Sequence, residues 1–138
     1  MDEVALIQQL FEVARNASIW LLDNAKQVPP HVITVADDGT VSEPHFPHEH
    51  LEGAGWNELL EGAASHARTQ VLTGQVVAVA VGVELENDGQ RGVGIQVETQ
   101  HQQLFRILPV SPTDTGHDFG AALEPDSFLF ELLFVPAE

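Results

Sequence analysis

The order of sequence patterns predicts an α+β protein: two helices packed on one face of an antiparallel sheet of four to five strands. Three observations carry this expectation. Segments 2–24 and 56–72 repeat apolar residues at three- and four-residue spacing, the period of an amphipathic helix. From Gln75 onward the period becomes two, as in strands. Runs of strand follow the helices rather than alternating with them, which favours antiparallel pairing.

The first helix is expected over residues 2–24, with Ile7, Leu10, Phe11, Ala14, Ala17 and Leu21 on its buried face. Asp2 and Glu3 complement the dipole at its start, and Pro29-Pro30 prevents its continuation. His31–Val35 is rich in β-branched residues and reads as a short strand. Asp38-Gly39 then marks a turn, after which Thr40-Val41 pairs back as a small hairpin. Residues 43–50 read as a loop because Pro44 and Pro47 interrupt any regular element. The second helix, over 56–72, presents Trp56, Leu59, Leu60, Ala63, Ala64, Ala67 and Val71 on one stripe. Its small residues allow the helix to lie flat on a sheet, and Gly74 suits its C-terminal cap.

In the next strand, Val77, Val79, Val81, Val83 and Leu85 share one face and Ala78, Ala80 and Gly82 the other. The strand after it directs Val93, Ile95 and Val97 one way and Gln96, Glu98 and Gln100 the other. Matching apolar faces calls for a three-residue loop, Asn87-Asp88-Gly89, pairing Val81 with Ile95; the Gln96–Glu98–Gln100 row, with Gln102 and Gln103, then reads as a solvent face in preference to a partner-binding one. Gly89 is expected at positive φ. Leu104–Val110 is a third strand, closed by Pro109 and Pro112, and 111–126 reads as irregular. Phe128–Val135 is a last strand, apolar on both sides. Such strands need cover on both faces, from the helices on one and from the long loop or a second copy of the chain on the other.

Length and composition bound the function. The 138 residues fit one domain, 1–138, without internal repeats, and the 43% hydrophobic content suits a packed core. The chain has 21 Asp+Glu against 5 Lys+Arg, a net charge of −16, and therefore repels nucleic-acid phosphates and anionic membrane surfaces. Spread over the roughly 7,000 Å² that a protein of this size exposes, these net charges lie about 20 Å apart, beyond the ~8 Å Debye length at physiological salt. Their mutual repulsion is mild unless they gather on one face. The acidic start, Met1-Asp2-Glu3, lacks a signal peptide's basic region, and the cysteine count is 0, so the expected compartment is the cytoplasm. No thiolate chemistry or cysteine-based metal site is possible. A single lysine, Lys26, among so many acids also fits a salt-adapted surface.

The conspicuous candidate site is the histidine loop. His45, His48 and His50 fall within six residues, flanked by Glu43 and Glu49, a donor set suited to zinc, nickel or iron. A short loop can supply two of the three or four ligands a site needs, with the rest drawn from elsewhere, such as His31, His66, His101 or His117. The competing reading is a solvated, proline-stiffened surface loop. With 7 histidines, acidification to about pH 5.5 would also roughly halve the net charge at ordinary histidine pKa values. Asp114-Thr115-Gly116 spells the core triplet of aspartic proteases, but it sits in a polar stretch without the preceding apolar strand; the residues read as a turn. Arg68 and Arg106 are expected ion-pair partners for the acids. No cofactor is expected beyond a divalent metal in the histidine loop. The functional expectation is a non-enzymatic protein-interaction or regulatory module that self-associates as a homodimer, or binds a protein with a basic surface. The alternative is a metal-binding protein or metal-dependent enzyme using His45, His48 and His50.

Overall fold

The computed structural model describes residues 3–25, 28–43, 56–73, 75–87, 89–114 and 116–124. Its elements are α1 (Glu3–Ala25), β1 (His31–Ala36), α2 (Trp56–Leu72), β2 (Val76–Asn87), β3 (Gln90–Thr99), β4 (Gln103–Pro112) and β5 (His117–Phe119). The five strands form a sheet in sequence order, and every neighbouring pair is antiparallel. The α+β class and the extents of both helices agree with the sequence reading. Among the described residues no helix is long and apolar enough to cross a membrane.

The heptad-like spacing of α1 buries Leu6, Ile7, Leu10, Ala14, Leu21 and Leu22, with Phe11 and Ala17 at the margin. Ser18 lies in the same stripe; its hydroxyl donates to the Ala14 carbonyl at 2.8 Å, so its burial leaves no unmet donor. This stripe packs on Ile33, Val35, Ala78, Ala80, Val93, Ile95, Val97, Leu108 and Val110. A second cluster joins Ala63 and Ala67 of α2, with Leu60 and Val71, to Val32, Val79 and Val81.

Successive strand residues point to opposite faces, so these clusters place α1 and α2 on opposite sides of the sheet rather than together on one. The reason lies in β2, which is apolar on both faces, with valines on one and small residues on the other. The reading that such a strand is covered twice was sound; here the cover on its second face is α2.

The β2–β3 register also differs from expectation. Asn87 pairs with Gln90, so two residues rather than three join the strands, and Val81 stands opposite Gln96 rather than Ile95. Gly89 has the expected positive φ, 80°. In the observed register Ala80 faces Val97 and Gly82 faces Ile95. Small therefore meets large beneath α1, which fills the space more evenly than valine on valine with alanine on glutamine.

Smaller features follow from local chemistry. At Asp38-Gly39 the glycine takes φ 89° and the Asp38 carboxylate accepts from the Thr40 N–H at 2.9 Å. That turn returns the chain so that Val41 bridges Val35, as the hairpin reading expects. Hydrogen bonding to Thr40 holds the Asp38 carboxyl below its ordinary range. β4 continues through Pro109 instead of closing there. The neighbouring outward position, Ile107, exchanges hydrogen bonds with Leu123, so the N–H that proline lacks falls on the side away from β3. Within 111–126, residues His117–Phe119 form a strand on β4 rather than irregular chain. The last expected strand, Phe128–Val135, lies outside the described residues.

The chain entering β1 is fastened to the β2–β3 hairpin. Glu84 N–H donates to the Val28 carbonyl at 2.9 Å, and Val28 N–H donates to the Glu84 carboxylate at 3.2 Å. Arg91 grips the same carboxylate through Nε at 3.1 Å and a terminal nitrogen at 3.0 Å. This fork raises the Arg91 pKa above its ordinary value.

Candidate functional site

His45, His48 and His50 lie outside the described residues, so the metal set remains an expectation from sequence. The other histidines considered as ligands are dispersed. His31 is fully buried in β1, its Nδ1 2.9 Å from the Pro29 carbonyl. A carbonyl only accepts, so Nδ1 is the donor in this contact. His66 is half-buried on α2. Among the described residues, no three His, Asp or Glu side chains gather as a metal site.

His101 and His117 serve the helix instead. His101, in the turn between β3 and β4, donates its backbone N–H to one Glu3 oxygen at 3.1 Å, and its Nδ1 lies 2.9 Å from the other. At the far end of α1, His117 Nδ1 lies 3.0 Å from Asp23 Oδ1. Each end of α1 is thus tied to the sheet through a carboxylate. Arg15, on the same helix, lies 5.4 Å above the Phe119 ring and adds a cation–π contact to β5.

Hydrogen bonds to Thr99 and His101 pull the Glu3 carboxyl from 4.5 down to about 2. A carboxyl depressed in the folded state stabilises fully above its unfolded pKa, and that contribution drains away as pH falls through the folded value. The window here runs from 4.5 to about 2. The stability difference between wild type and Glu3→Gln is therefore expected to shrink steadily as pH drops across that window. Denaturant titrations at several acidic pH values check it; a constant difference would disprove the link.

The polar row of β3 divides. Gln100 is exposed as expected, as are Gln102 and Gln103 in the turn and at the start of β4. Gln96 and Glu98, expected on a solvent face, are only 1% and 2% exposed. Gln96 Nε2 donates to Glu98 Oε2 at 3.1 Å. The cause is the register: the two-residue connection sets Gln96 and Glu98 opposite Val81 and Val79 on the α2 side of the sheet. Asp-Gly between alternating strands is the signal that would have located this buried pair.

Asp114 is exposed, and Thr113 N–H donates to the Gly116 carbonyl at 2.8 Å. Asp114 and Gly116 thus lie in the connection between β4 and β5, while Thr115 lies outside the described residues. Arg106 meets Glu124 at 2.8 Å, as its mid-strand position led us to expect.

Backbone hydrogen bonds cover parts of the outer strands of the sheet. On β1, the Thr34 carbonyl accepts from Ser42 N–H at 2.9 Å, and Ala36 N–H donates to Thr40 at 2.9 Å. On β4, Ile107 exchanges hydrogen bonds with Leu123, and Gly120 N–H donates to Pro109. The outer side of β1 is blunted against pairing with another strand at these positions, and the part of β4 not paired with β5 is covered by the chain that follows β5. Trp20, by contrast, stands 62% exposed on α1. Of its helical neighbours, Asn16, Asp23 and Asn24 are exposed and polar, while Ala17 turns toward the core. Comparison with protein-family models, curated proteins and solved structures finds no match to this chain.

Proposed function

We propose that this protein is a non-enzymatic interaction or regulatory module that acts as a homodimer and whose acidic surface suits a protein partner with a basic one. The observation that carries this reading is Trp20, 62% exposed on α1 beside the exposed polar residues Asn16, Asp23 and Asn24. A large aromatic bordered by polar side chains is the usual anatomy of an interface anchor. The net charge of −16 favours attraction to basic surfaces, weakening as salt rises.

Light scattering tests the dimer. Wild type is expected at about twice 15.0 kDa, and Trp20→Ala at the monomer mass under the same conditions. Because the ring is exposed, that substitution should leave folding stability within about 0.5 kcal/mol of wild type. A wild type that stays monomeric throughout an accessible concentration range would overturn the homodimer.

The second reading is a metal-binding protein, favoured by one sequence observation: His45, His48 and His50 within six residues, beside Glu43 and Glu49. Zinc, nickel or iron analysis of untagged protein tests it. Stoichiometric metal that is lost in His48→Ala would place this reading first. Wild type that takes up no metal on incubation and desalting would remove it.

A further inference from the structure

We draw no further inference here: the strongest candidate, the Gln96–Glu98 pair on the α2 side of the sheet, carries none because both residues have further partners within the chain and, at 1% and 2% exposure, offer no opening to a ligand.

Discussion

Gly82→Ala is expected to destabilise the protein by about 3 kcal/mol, the upper end for overpacking a filled core. A Cβ at this position would stand 2.8 Å from His31 Cε1 and 2.9 Å from Nε2. Carbon atoms in good contact lie ~3.5–4 Å apart, so the ring or a strand must move. Neither moves freely. His31 is 0% exposed and bonded to the Pro29 carbonyl, and Gly82 pairs with His31 on one side and Ile95 on the other. Urea denaturation is expected to show a midpoint lowered by roughly 1–2 M, taking a typical slope for a small domain. The contact itself is tested by repeating the substitution in a His31→Ala background. With the ring gone the added methyl has room, and its cost should drop by more than about 1 kcal/mol. An equal cost in both backgrounds would show that the His31 contact is not the cause.

Leu10→Ala is expected to cost a similar amount, roughly 3 kcal/mol within the ~2–5 range for such truncations. Leu10 is 1% exposed near the middle of the α1 stripe, facing the cluster built from β1, β2, β3 and β4. The helix is held on the sheet at its two ends by Glu3–His101 and Asp23–His117, so its middle has little scope to settle into the space left behind. Most of the cavity penalty should therefore persist. A domain of this size holds only ~5–15 kcal/mol in total, so the loss is a large share of it. A cost below about 1 kcal/mol in equilibrium unfolding would mean that α1 does not depend on this packing.

Periodicity located both helices and the main strands because it reports one local fact: which side chains must leave water. Ile7, Leu10, Ala14 and Leu21 mark the buried side of α1 whatever it packs against. The same holds for Ala63, Ala64 and Ala67 on α2. Turn chemistry was equally legible at Asp38-Gly39 and at Gly89, where a positive φ is a property of a few residues. The candidate site was less so. The fates of His101 and His117 depend on two carboxylates 98 and 94 residues away in sequence, which no local pattern couples.

By itself, then, the sequence determined the class, the extents of α1 and α2 and the doubly covered character of β2, because burial on a helix or strand imposes its period directly. Tertiary structure alone decided that α1 and α2 take opposite faces, and that Gln96 and Glu98 turn inward. Both outcomes rest on a comparison between faces. Ala78, Ala80 and Gly82 leave room for Val93, Ile95 and Val97 beneath α1, while the valines of β2 meet the alanines of α2. A count of apolar residues cannot weigh these volumes against each other. Only packing the faces together shows that large against small fills the core better than like against like.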